Sequence, residues 1–261
     1  MPLSEHDVET FARNLLLARR TPGTKPLPPP AIPETDKDAY RIQDRVIAAY
    51  GPVEGWKVGA ANPTAEPNCA PIIRSGLVQL SAAPIQVPSP VGIEVEIGFR
   101  MNRAFPSANT PPTEQDVLSN IKSTHVVMEL CASRLPDGSK SPPLANLADN
   151  GMNQAFVIGP EVKNWRNIDA VTQVARAIVN GKTVVETTGG HTQKDIGALL
   201  VWLVRHVVME RNGLAAGAFV AAGSWTGIHW LDAPALVGGE FEGLGRLDCV
   251  LGPQNTGPRI I

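Results

Sequence analysis

The sequence predicts an α+β protein, a small helical cap followed by one β-rich body. Residues 4–50 hold two runs with apolar side chains at helical spacing. From Gly51 onward, short apolar runs lie between clusters of Pro, Gly, Asn and Ser, which is the punctuation of strands. The 24 glycines and 24 prolines make nearly a fifth of the 261 residues. That share is well above the roughly 12% of an average protein and disfavours a helical bundle.

Ser4, with Asp7 three residues on, gives a start resembling a capping box, and Val8, Phe11, Ala12, Leu15 and Leu16 recur at the spacing of an amphipathic helix. The proline-rich segment Thr21 to Pro33 ends it. A second helix is expected from Asp36 to Tyr50, with Ile42, Val46 and Tyr50 on one face. Strands are expected at Val91 to Phe99, His125 to Cys131 and Ala155 to Ile158. Asn180-Gly181, between the alternating runs Val174 to Val179 and Thr183 to Thr187, is a strong short-range signal for a hairpin. A helix over residues 192–212, closed by Gly213, precedes two late strands at Ala218 to Ala222 and Leu247 to Leu251. The opening helices are too few to form their own core, so they are expected to pack as a cap, residues 1–55, on a catalytic β-rich domain of residues 56–261.

Composition excludes several classes of function. The formal net charge is -2 and no segment is strongly basic, which argues against nucleic-acid binding. With 43% hydrophobic and 18% charged residues the chain has the apolar content for a sizeable core. Cys69, Cys131 and Cys249 are far apart and show no metal-ligand spacing, so neither a disulfide framework nor a zinc site is expected. The longest apolar stretch, Ile196 to Met209, is broken by Arg205 and His206, and the opening residues show no signal-peptide pattern. A cytoplasmic protein with no membrane segment is expected. Neither GxGxxG after a strand nor GxxxxGK[ST] occurs, and the histidines show no HxxxH or HxH spacing.

The chemistry-bearing residues are mostly acidic. In Val91 to Phe99, Glu94 and Glu96 alternate with apolar residues, so a strand would project both carboxylates to one face, about 7 Å apart. Such a pair can share a divalent ion or line the solvated face of an edge strand. Glu129 lies inside HVVMELCA, whose apolar flanks predict burial, and an unpaired buried carboxylate costs several kcal/mol. It requires a cation, either an Arg or Lys or a metal shared with Glu94 and Glu96. Three carboxylates, with the remaining positions open to water or substrate oxygens, suit Mg²⁺ or Mn²⁺. Lys57 lies in GWKVG beside Trp56. Desolvation there would lower its pKa toward neutrality and allow proton transfer, whereas a lysine snorkelling from a strand is the alternative. Asp149 and Asn150 in LADNG read as a turn or as a hydrogen-bonding pair supporting the site. Ser224 follows the small-residue run AAG, but no GxSxG elbow is present.

Taken in order, GWKVG, IEVEIGF, VVMEL, LADNG, the NGK hairpin and GLAAGAFVAAGSWTG resemble the 2-keto-4-pentenoate hydratase branch of the fumarylacetoacetate hydrolase superfamily. That branch also contains 2-oxo-3-hexenedioate decarboxylases. The resemblance runs from about Tyr40 to Leu251. It implies a mixed β-sheet wrapped into an incomplete barrel with helices alongside, and a homo-oligomer. It also implies Mg²⁺ held by Glu94, Glu96 and Glu129, with Lys57 in proton transfer. The implied activity is addition of water to a small 2-hydroxy-2,4-dienoate or its 2-oxo tautomer, as in breakdown of aromatic compounds. The alternatives are decarboxylation of a 2-oxo-dienedioate, C–C hydrolysis of an acylpyruvate, and a non-catalytic binding or partner subunit. The chain departs from the hydratase pattern at Arg74-Ser75-Gly76, where an Asp is common, and at Met152, where a small polar residue is common. Arg74 is therefore expected to bind a second substrate carboxylate, and Asp149 and Ser224 are expected to contact substrate.

Overall fold

The structure is a computed structural model and describes residues 2–254. Helix α1 (Glu5–Arg20) begins as its sequence predicts, with the Ser4 hydroxyl accepting from the Asp7 backbone N–H. Thr35 caps α2 (Asp36–Ala48) in the same way through Asp38. That helix stops short of Tyr50 because Gly51 turns with φ 94° and Pro52 follows it. The body then runs β1 (Val53–Gly59), β2 (Asn68–Ile73), β3 (Leu77–Gln79), β4 (Ile85–Val87), β5 (Val91–Met101), α3 (Glu114–Leu118) and β6 (Ile121–Cys131). It continues through α4 (Pro143–Ala148), β7 (Asn153–Glu161), β8 (Val174–Val179), β9 (Lys182–Thr188) and α5 (Ile196–Glu210). It finishes with β10 (Phe219–Ser224), β11 (His229–Leu231), β12 (Ala235–Phe241) and β13 (Gly245–Pro253).

The larger sheet has the order β2-β1-β10-β5-β6-β7-β3, with β11 also paired to β5. It is mixed: β1 with β10 and β3 with β7 are parallel, and the other pairs are antiparallel. The second sheet has the order β4-β13-β12-β8-β9. Its β8–β9 hairpin turns at Asn180 and Gly181, both at positive φ, as a two-residue loop with the twist of its strands requires. This α+β architecture, a curled sheet with helices at the N-terminal end, is the one expected.

Strand β5 is central in the sheet, so the reading of its glutamates as the solvated face of an edge strand does not hold. Its odd-numbered residues Val91, Ile93, Val95, Ile97 and Phe99 enter the main core, which also takes α5 and the inner face of the second sheet. Its even-numbered residues Gly92, Glu94, Glu96 and Gly98 take the opposite face. Further along the curl, Val127, Phe156, Ile158, Phe219 and Ala221 close that side. Gly98 is needed there because a Cβ would lie 2.3 Å from the Phe219 ring.

Helices α1 and α2 share a separate apolar cluster of Val8, Phe11, Leu15, Ile42 and Val46 with Leu135, Ala145 and Leu147. The last three belong to the β6–β7 connection, so the cap is sealed by the chain segment that joins two strands of the large sheet. Among the described residues, no helix is long and apolar enough to cross a membrane.

Candidate active site

Antiparallel pairing sets Glu94 on β5 directly opposite Glu129 on β6, with Glu96 two residues along on the same face. All three are buried, at 9%, 0% and 2% exposure for Glu94, Glu129 and Glu96. Parallel pairing of β1 with β10 sets Lys57 opposite Ala221, which in turn faces Gly98 of β5. The glycine that lies against the lysine side chain is Gly151, where an added Cβ would sit 3.4 Å from Lys57 Cε and Nζ. The Lys57 ammonium donates to both Glu129 oxygens, at 2.7 and 2.8 Å, and to the Gly151 carbonyl at 3.1 Å. The cation that Glu129 requires is thus supplied in part by Lys57. Asn153 Nδ2 adds a further donor to Glu129 at 2.9 Å.

This pairing reverses the expectation of a lysine tuned toward neutrality. Burial alone would lower the Lys57 pKa, but Glu129, with Glu94 and Glu96 behind it, outweighs burial and raises it. Burial also raises the Glu129 carboxyl, with Lys57 opposing. Glu96 is held well above the usual carboxylate range by burial and by the charges of Glu129 and Glu94.

Among the described residues, metal-ligating atoms converge within 4.8 Å of one another at Glu94, Glu129 and Cys131. The Cys131 thiol donates to Glu94 Oε2 at 3.5 Å. Glu96 Oε2 accepts instead from the Gly223 N–H at 3.2 Å. Sequence reading placed Cys131 only among the apolar flanks of Glu129. The alternation of β6 was the available signal, because residue 131 shares a face with residue 129. Glu94 and Glu129, with Glu96 beside them, crowd carboxyl groups around a single ammonium, and the converging oxygens of Glu94 and Glu129 would fit a divalent cation.

The other expected residues have different placements. Ser224 pairs with Glu96 across β10 and β5, and its Oγ accepts from the Gly227 N–H at 3.0 Å. Asp149 is buried. It takes the Arg134 backbone N–H at 2.7 Å and Nε at 2.6 Å, so it serves to hold Arg134. Asn150 donates to the Pro71 carbonyl. Asn150, Gly151 and Met152 all adopt left-handed φ of 58°, 58° and 61°, and this turn aims the Gly151 carbonyl at Lys57. Arg74 does not join the site: its side chain is 82% exposed and pairs with Glu54 at 2.8 Å. His191 bonds the Ala222 and Gln193 carbonyls, in keeping with a structural histidine.

A curled mixed sheet with clustered carboxylates on one face and a lysine set against them defines the class to which this protein belongs. The chain is a member of the fumarylacetoacetate hydrolase family, and the model of that family's C-terminal region, fumarylacetoacetate (FAA) hydrolase C-terminal, matches residues 57–251. It is accordingly an enzyme of the fumarylacetoacetate hydrolase superfamily. Among solved structures it is similar to 4-oxalocrotonate decarboxylase from Pseudomonas putida G7 complexed with magnesium and adipate. That match has 18% identity and a TM-score of 0.75, and covers 95% of this chain and 98% of the other. The same decarboxylase complexed with calcium and acetate gives 0.74 over the same coverage. The 2-hydroxyhepta-2,4-diene-1,7-dioate isomerase from Mycobacterium marinum matches at 19% identity and TM-score 0.57, over 78% of this chain and 77% of that one.

Proposed function

We propose that the protein is a divalent-metal-dependent lyase that adds water to a small 2-hydroxy-2,4-dienoate or 2-oxo-enoate. The observation that carries this reading is the opposition of Glu94 and Glu129, with Glu96 beside them, on one buried face. Glu94, Glu96 and Glu129 hold the cation, Mg²⁺ or Mn²⁺, and Cys131 lies against them. When bound, the cation supplies Lewis-acid stabilisation of negative charge developing on the C2 oxygen of a 2-oxo acid. Lys57 is the cationic side chain among these residues; held as the ammonium by Glu129, it acts from Nζ as a proton donor rather than as a base tuned toward neutrality. The Gly151 carbonyl and Glu129 orient its ammonium, and Glu129 would also be among the residues that hold the cation. Ser224, paired with Glu96 across the strands, is the residue assigned to contact substrate.

Decarboxylation of a 2-oxo-dienedioate is the second reading. It is favoured by the likeness to a decarboxylase over nearly the whole of both chains, helical cap included. The two reactions share the electron sink and differ in whether water is added or carbon dioxide released.

The test is a paired assay with and without Mg²⁺. Hydration shows as metal-dependent loss of the dienoate absorbance without carbon dioxide, abolished by Glu94→Gln or Glu129→Gln. Carbon dioxide release from 2-oxo-3-hexenedioate moves the assignment to the second reading. Turnover that persists in EDTA and in both variants rules out the metal site.

A further inference from the structure

A cavity of about 740 Å³ opens between the helical cap and the large sheet, lined by Arg19, Tyr50, Ser75, Ser133, Arg134 and Gln154 among others. Arg134 is 5% exposed. Its Nε and Nη2 are used by Asp149, at 2.6 Å to Oδ1 and 2.8 Å to the backbone carbonyl, while Nη1 is sealed from solvent without a partner. Arg19 reaches across from α1 and gives Nη2 to the Asn153 carbonyl at 3.3 Å, and its Nε is likewise buried and unpartnered. Asp149 is thus the ion-pair partner of Arg134, and Arg19 has a backbone carbonyl rather than a carboxylate as its bonded acceptor. Burial, with the charge of Arg134 behind it, lowers the Arg19 pKa to about 10. A buried N–H without an acceptor is costly, and a planar carboxylate supplies two oxygens to guanidinium donors.

We propose that Arg19 and Arg134 receive the second carboxylate of a dicarboxylate substrate whose 2-oxo acid head lies at Glu94 and Glu129. The proposal rests on the reading of the glutamates as the site of that head. A single residue links the two ends: Asn153 accepts from Arg19 through its carbonyl and donates to Glu129 through its side chain. The cavity wall continues through Ala132 and Gln154, which directly follow Cys131 and Asn153. The role that sequence reading gave to Arg74 therefore passes to an arginine of the cap and one of the β6–β7 connection.

The experiment is calorimetric titration of the full chain, loaded with Mg²⁺, with 2-oxoadipate and with 2-oxohexanoate. These probes share a head and differ by the terminal carboxylate. The wild type binds 2-oxoadipate about tenfold or more tightly than 2-oxohexanoate, the worth of hydrogen bonds to a charged group. Arg19→Gln removes the preference and leaves 2-oxohexanoate affinity unchanged, Arg19→Lys restores part of it, and Arg74→Ala leaves it intact. Arg19 is the position varied because removal of Arg134 leaves Asp149 buried without its ion-pair partner. Equal affinity for the two acids in the wild type, or a preference that survives Arg19→Gln, overturns the proposal. Binding of 2-oxoadipate alone, independent of metal but dependent on Arg19, keeps the arginine pocket and overturns the assignment of the head.

Discussion

The Lys57 ammonium bridges both carboxylate oxygens of Glu129 across 72 positions of sequence, at 2.7 and 2.8 Å, with the carboxylate fully buried. Breaking such a pair from one side leaves an uncompensated charge in the interior. Lys57→Met is therefore expected to cost about 3–5 kcal/mol of stability in EDTA. The double variant Lys57→Met with Glu129→Gln recovers most of that loss, as read by urea unfolding. If the two single losses simply add, the residues are not coupled as the geometry states.

Glu96 lies buried beside two further carboxylates, and both burial and their charges oppose its ionisation. Without metal, Glu96→Gln removes that repulsion, so its thermal midpoint in EDTA is expected to equal or exceed that of the wild type. Saturating Mg²⁺ stabilises the wild type by mass action and stabilises the variant less. An equal Mg²⁺-induced shift in both proteins rules out Glu96 as a holder of the cation.

At Gly151, φ is +58° and an added Cβ would lie 3.4 Å from Lys57 Cε and Nζ. An alanine there takes on left-handed strain of about 1–2 kcal/mol. Gly151→Ala is expected to lower unfolding stability by that amount and to reduce kcat more than it raises KM, because the carbonyl that orients Lys57 moves with the turn. Unchanged kcat with the expected stability loss separates the turn from catalysis.

Asp149 bonds Arg134 through its carboxylate and its backbone carbonyl. Asp149→Asn is expected to destabilise the fold by about 3–5 kcal/mol, since it leaves a buried guanidinium without its counter-charge. Chemical denaturation measures this directly. A variant of full stability with a raised KM would instead return Asp149 to the substrate-contacting role that its sequence position suggests.

What the sequence disclosed was local. Alternation in Val91 to Phe99 carried the two glutamates to one face, the apolar flanks of Glu129 carried its burial, and Asn180-Gly181 carried the hairpin, because each depends on neighbouring residues only. The helices α3 and α4 span five and six residues, too few for a periodic signal to emerge. The Lys57 ionisation is not legible locally, because its sign depends on a partner 72 residues away, whereas the Trp56 neighbour that suggests desolvation is adjacent. The arginine pocket was hidden for the same reason. Arg19 reads as the basic end of an amphipathic helix, and Arg134 as an ordinary loop residue, until the fold sets them on one cavity. Arg74 stands out in the sequence because it departs from the hydratase pattern, yet its side chain faces solvent.

The connection from β6 to β7 has two duties along one stretch of chain. Leu135, Ala145 and Leu147 seal the apolar cluster of the opening helices, and a few residues later Gly151 meets Lys57. For the engineer this makes the cap a poor candidate for simple transplantation. Replacing residues 2–50 alone sets foreign side chains against α4 and loosens the turn beneath the lysine. The exchangeable cassette consists of two sequence-distant pieces, the opening helices and residues 132–152, moved together while the glutamate-bearing strands stay in place.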